Sequence, residues 1–166
     1  MTNSRKLIVV VDDDRTNLAD ARSALMDAYD IFTVSSGAKL FALLDKSKPD
    51  LILLDIKMPE MDGYDVIRIL KSTAHTAEIP VIFLSALQDA ESEVTGLDLG
   101  AVDYIFKPIS KKILLKHVEL HLLIDDRTRE LTRRVGELED ALAQKDGTIA
   151  ELRNAAARTG ADSAGG

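Results

Sequence analysis

Apolar positions along this chain follow two alternating patterns. Uninterrupted aliphatic runs at Leu7–Val11, Leu51–Leu54 and Pro80–Leu84 read as strands buried on both faces. Ile31–Val34 and Val102–Phe106 add two shorter candidates. Between them, apolar residues recur at helical spacing over about Arg15–Ala28, Ala38–Lys46, Gly63–Lys71 and Asp89–Leu97. Strands alternating with helices predict an α/β fold, a parallel sheet covered on both faces. Right-handed crossovers restrict it to doubly wound arrangements. Pro49, Pro59, Pro80 and Pro108 all fall at predicted element edges, where a missing N–H costs little.

The pattern changes after Pro108. From Ser110 to about Leu152 there is no proline and no strand signal. Leu114, His121, Thr128, Val135, Leu142 and Ile149 stand seven apart; His117, Ile124, Leu131, Leu138, Lys145 and Leu152 form a second row offset by three. These rows predict a coiled-coil seam, clearest from Leu131 to Leu142. A helix of about 40 residues spans about 60 Å. So long a seam cannot be buried on so small a domain, so a parallel homodimer is expected, with Ile124, Leu131, Val135, Leu138, Leu142, Ile149 and Leu152 at its interface. Arg134 would then face Glu139 of the second copy. His117 and His121, four apart, are expected on the helix face at the start of the dimer rather than at a metal, because no carboxylate or third histidine accompanies them in the sequence. Residues 154–166, small and rich in Gly and Ala, are expected to be a flexible tail or linker.

Composition narrows the function classes. The 166 residues accommodate one domain of roughly 120 residues plus an extension. With a net charge of -7, direct nucleic-acid binding is not expected, since it needs clustered Lys and Arg. There are no cysteines, which excludes disulfides and thiol chemistry. The longest early apolar run stops at Asp12, too short for a membrane span, and a cytoplasmic protein is expected.

Candidate chemistry lies at the strand ends. In an open parallel sheet, functional groups gather at the carboxyl edge. The first strand ends in Asp12-Asp13-Asp14 and the third in Asp55. If those strands are neighbours, Asp12, Asp13 and Asp55 share a crevice and repel one another. A hard divalent cation removes that penalty, and oxygen-only ligation favours Mg²⁺. Asp14 serves equally well as a helix cap. Lys107, at the end of the fifth strand, would place an ammonium where it could neutralise an acyl phosphate. Ser85, at the end of the fourth, would add a hydroxyl donor.

Taken in order, Val10 to Asp14, Leu53 to Pro59, Asp62-Gly63, Leu84-Ser85-Ala86, Gly100-Ala101 and Tyr104 to Pro108 resemble the receiver domain of two-component response regulators. The resemblance covers about Leu7 to His121. It implies a (βα)₅ fold with strand order 2-1-3-4-5, residues 1–121 forming the receiver and 110–153 an extended fifth helix. It implies that Asp55 is the phosphoacceptor, served by a sensor histidine kinase or phosphotransfer protein. Asp13 would ligate Mg²⁺ directly, Asp12 mainly through water, and the Lys57 carbonyl would be a further ligand. Lys107 and Ser85 would hold the phosphoryl group, and Tyr104 would rotate inward in response. No enzymatic activity is implied beyond Mg²⁺-dependent self-phosphorylation and self-dephosphorylation. Leu87, apolar beside the expected path of the hydrolytic water, predicts slow dephosphorylation. The chain either signals through its own dimer or a docked partner, or fronts a C-terminal effector such as a cyclic-dinucleotide enzyme, the arrangement favoured here.

Two other readings compete. A haloacid-dehalogenase-like phosphatase would use Asp12-x-Asp14 but leaves Asp55 and Lys107 unexplained. A constitutive coiled-coil dimerisation module would ignore phosphate and Mg²⁺. A nucleotide-binding first loop is excluded, since residues 12–17 hold no glycine.

Overall fold

The computed structural model describes residues 5–86, 88 and 90–162. The chain divides into two compact units, Met1–Leu123 and Ile124–Gly166.

The first unit carries a five-stranded sheet. Its strands are β1 (Leu7–Val11), β2 (Asp30–Val34), β3 (Leu51–Asp55), β4 (Val81–Ser85) and β5 (Asp103–Phe106). All pairings are parallel and the order is β2-β1-β3-β4-β5. The intervening helices are α1 (Arg15–Leu25), α2 (Gly37–Leu44), α3 (Gly63–Ser72) and α4 (Ala90–Asp98), and α5 (Lys111–Asp162) follows. The α/β doubly wound fold and strand order expected from the sequence are thus present.

The period-two alternation of each strand builds two cores. Val9, Val11, Ile52, Leu54, Val81 and Phe83 pack with Leu40 of α2 and with Val66, Ile67 and Leu70 of α3. Ile8, Val10, Leu51, Leu53, Ile82 and Leu84 pack with Ala21, Ala24 and Leu25 of α1 and with Leu114, Val118 and Leu122 of α5. The central strands β3 and β4 are buried at every residue, which is why their sequences are continuous apolar runs.

Caps and close approaches fix where the helices start. Asp14 caps α1, its carboxylate accepting from the Thr16 and Asn17 amides at 2.7 and 3.2 Å. Asp62 caps α3 by accepting from the Asp65 amide at 2.9 Å. Gly63 opens α3 against the end of β3: a Cβ there would stand 2.5 Å from the Asp55 carbonyl oxygen and 2.8 Å from the Ile56 Cα. Only glycine lets α3 begin beside the tip of β3.

The second unit is the continuation of α5 from Ile124. Helix α5 runs through Asp162, so residues 154–162, which the sequence suggests are a flexible tail, are helical. Ala155, Ala156 and Ala157 explain this, since alanine is the strongest helix former. The heptad residues Ile124, Leu131, Val135, Leu138, Leu142, Ile149 and Leu152 are all exposed along it. Arg134 turns back to Glu130 at 2.7 Å within the chain rather than waiting free for Glu139 of another copy. Among the described residues no helix is long and apolar enough to cross a membrane.

Candidate functional site

The sheet order makes β1 and β3 neighbours, so their acidic ends meet. Val11 pairs with Leu54, which places Asp12 and Asp55 side by side. Asp55 follows four buried aliphatic residues and is itself only 5% exposed; Asp12 is 1% exposed. Asp13 is exposed. Carboxylate oxygens of Asp12, Asp13 and Asp55 lie within 4.8 Å of one another.

Lys107 enters from the end of β5, whose register is set by β4: Ser85 pairs with Phe106, and the Lys107 amide donates to the Ser85 carbonyl at 2.8 Å. The peptide bond from Lys107 to Pro108 is cis. The Lys107 Nζ donates to Asp12 Oδ2 at 2.7 Å and to Asp55 Oδ1 at 2.9 Å. The other oxygen of Asp12 accepts from the Asp14 amide at 2.9 Å and from the Asn17 side-chain amide at 3.3 Å. Asp12 is therefore held on both sides. Asn17 was not singled out by the sequence, because it lies inside α1 and has no strand-end position to mark it.

Electrostatics follow from this packing. Burial pushes the Asp55 carboxyl above the ordinary aspartate value, the charges of Asp12 and Asp13 push the same way, and Lys107 opposes them. For Lys107 burial alone would lower the pKa, but the hydrogen bonds to Asp12 and Asp55 outweigh it and the ammonium is held charged above its usual range. Lys107 thus bonds two of the three clustered carboxylates, whose negative charges outnumber its own.

The donor set fits Mg²⁺: clustered carboxylates, no nitrogen or sulfur, and one exposed member, Asp13, through which a hydrated ion keeps part of its water shell. A hundred-fold excess of Mg²⁺ over its dissociation constant is expected to stabilise the fold by about 2.7 kcal/mol. Thermal unfolding with and without chelator would measure it, and Asp13→Asn is expected to shrink the shift.

The remaining candidates take these places. Ser85 is buried at the end of β4, one residue past the Leu84 that pairs with Asp55. Lys57 is exposed just beyond Ile56. Tyr104 is buried, its ring 6.2 Å from that of Phe83 and 5.1 Å from that of Phe106. The ring is already inward here, where the resemblance expects inward rotation only as a response. Asp14 stands apart, its carboxylate committed to capping α1, which removes the Asp12-x-Asp14 pair that a dehalogenase-type phosphatase requires. Leu87, on which slow dephosphorylation rests, lies outside the described residues.

One expectation needs correction. His117 and His121 do have a carboxylate with them: both ring nitrogens reach Asp103 Oδ2, at 2.5 and 2.8 Å. The sequence hid this because Asp103 lies on β5, 14 and 18 residues away and with no helical spacing to either histidine.

Comparisons with known proteins show the family. The model of the response regulator receiver domain matches residues 8–119. The chain is 39% identical over 165 residues to a protein of Vibrio cholerae named probable cyclic di-GMP phosphodiesterase, covering 91% of this chain and 37% of that one. It is 37% identical over 147 residues to the response regulator PleD of Caulobacter vibrioides, covering 84% of this chain and 32% of that one. It therefore spans about a third of the length of these relatives. Among solved structures, the signal receiver domain of a signal transduction histidine kinase from Syntrophus aciditrophicus is 36% identical with a TM-score of 0.66, over 70% of this chain and 89% of that one. With its strand order, its acidic crevice and this match, the chain belongs to the response regulator receiver family and has the role of a phosphoacceptor in two-component signalling.

Proposed function

We propose that Asp55 is the residue that takes the phosphoryl group, from a phosphohistidine of a sensor kinase or phosphotransfer protein in the cytoplasm. The observation that carries this is the convergence of Asp12, Asp13, Asp55 and Lys107 at one sheet edge. A carboxylate oxygen of Asp55 forms the new P–O bond as the N–P bond of the donor breaks, and the leaving imidazole keeps its proton. Asp13, Asp12, Asp55 and the Lys57 carbonyl would hold Mg²⁺, which would supply charge neutralisation during the transfer. Lys107 and Ser85 donate to the phosphoryl oxygens, charge-assisted bonds that exist only in the phosphorylated state.

Those bonds bias the α4-β5-α5 face. Tyr104 packs there against Phe83, and Gly96 of α4 leaves no room for a larger residue, since a Cβ would stand 2.9 Å from the Phe83 ring. Phosphorylation holds the Tyr104 ring in the inward position by anchoring Ser85 and Lys107, at the ends of the already paired β4 and β5, to the phosphoryl group. A few kcal/mol of differential stabilisation suffices to shift such an equilibrium.

Residues 1–121 act as the switch and α5 from about residue 110 as the output arm. The exposed heptad row from Ile124 to Leu152 pairs with a second copy of the chain. The similarity to the Vibrio protein covers 91% of this chain, more than the receiver alone, which supports an effector of the cyclic-dinucleotide class acting through the same helix.

Light scattering with Mg²⁺ and beryllofluoride, a phosphoryl mimic, tests the link between switch and arm. The expected result is a change in mass for wild type and none for Asp55→Asn. An unchanged mass in wild type, with beryllofluoride bound, would refute the coupling.

A further inference from the structure

A second cluster of metal-ligating side chains lies away from the acidic crevice, where the start of α5 crosses β5. Asp103 is the first residue of β5. His117 and His121 stand one helical turn apart on α5, the spacing that sets two imidazoles on one face of a helix. His117 Nδ1 and His121 Nε2 both reach the same oxygen, Asp103 Oδ2. The three ligand atoms lie within 4.8 Å of one another.

From this convergence we infer that Asp103, His117 and His121 form a binding site for a divalent transition-metal ion, zinc being the best match. Two imidazole nitrogens and one carboxylate oxygen make a donor set of borderline softness, suited to Zn²⁺ and poorly suited to Mg²⁺. Tetrahedral coordination at about 2.0–2.1 Å sets neighbouring ligand atoms about 3.3 Å apart. The nitrogens are now 2.5 and 2.8 Å from the oxygen, so the ion enters after each contact opens by less than about 1 Å. Hydrogen bonds hold the three groups in place without metal, and the ion replaces the protons that bridge them.

The surroundings fit a ligand set. The second carboxylate oxygen of Asp103 accepts from the Tyr104 amide at 2.8 Å, which fixes the carboxylate and leaves Oδ2 facing the histidines. His121 is 13% exposed and His117 38%, so one side is packed and the other admits an ion and keeps a position for water. Glu119 lies between the two histidines in sequence but pairs with Lys116 at 2.7 Å. The third ligand therefore comes from another element, and an ion here ties β5 to α5 one residue from Tyr104. Binding here requires no phosphoryl group on Asp55.

Calorimetric titration of the chelator-treated full chain with zinc chloride, in excess Mg²⁺ to fill the acidic crevice, tests the site. One equivalent is expected to bind with micromolar affinity. His117→Gln, His121→Gln and Asp103→Asn, each shown to be folded by circular dichroism, are expected to weaken it on the order of 100-fold. His75→Gln, which changes the one remaining histidine, is expected to bind as wild type does. Titrating Co²⁺ supplies a second readout, because its visible absorption reports nitrogen ligation and is expected to vanish with the two α5 histidines. Absence of micromolar binding, or equal binding by a variant lacking both of these histidines, would overturn the assignment.

Discussion

Asp55→Asn is expected to lose all phosphoryl uptake and, in Mg²⁺-free buffer, to gain stability of about 1–2 kcal/mol. The two effects have one cause. Asp55 is buried beside Asp12 and Asp13, and burial above all raises its pKa in the fold. A carboxyl whose folded pKa lies above its unfolded value binds its proton more tightly in the native state. Its ionisation therefore costs stability as pH rises from the unfolded value of 3.8 through the folded pKa, and the deficit persists at neutral pH. Asparagine keeps the shape and still offers Lys107 an acceptor oxygen, but removes one of three like charges. Urea denaturation in chelator would show a higher midpoint with the same slope. Mg²⁺ is expected to narrow the gap, because it stabilises wild type by mass action. A variant less stable than wild type without Mg²⁺ would mean that the carboxylates are not in net repulsion.

Lys107→Ala is expected to do the reverse. Its Nζ lies 2.7 Å from Asp12 and 2.9 Å from Asp55, whose side chains are 2% and 7% exposed. Removing the cation leaves two buried carboxylates facing each other, a loss on the order of 3–5 kcal/mol. The pH dependence has a definite sign. Burial alone would lower the Lys107 pKa, but the hydrogen bonds it donates to Asp12 and Asp55 raise it, so its contribution is present below the unfolded value of 10.5 and disappears as pH rises through the folded value. Wild type should lose that increment at alkaline pH while the variant has none to lose. The nucleophile remains in this variant, so phosphorylation of Asp55 continues, but the mass response to beryllofluoride disappears with the ammonium that reads the added charge. A variant as stable as wild type, or one still responsive, would contradict this role.

The sheet was legible because β3 and β4 are buried on both faces and are apolar up to their last residues, Asp55 and Ser85. Their ends were less so. The expected strand Pro80–Leu84 appears as Val81–Ser85: Pro80 has no N–H to donate, yet its carbonyl accepts from Ile52 at 2.9 Å, so it serves the ladder from just outside the strand. Asp12, Asp55 and Lys107 were legible for a related reason, since each is the first charged residue after an apolar strand. Asn17 and Asp103 were not, because their importance comes from neighbours on other elements. The end of α5 is not legible in the sequence, because the same small residues suit a loose tail and a helix; alanine decides for helix.

The central claim is that three carboxylates and one lysine at neighbouring strand tips make Asp55 the acceptor. Its most direct test is to incubate the chain with acetyl phosphate, trap the acyl phosphate by borohydride reduction and map the reduced residue by peptide mass spectrometry. Reduction confined to Asp55, dependent on Mg²⁺ and absent from Asp55→Asn, is the predicted outcome. Phosphate trapped at Asp12 or Asp13 in wild type, or uptake indifferent to Mg²⁺, would contradict it.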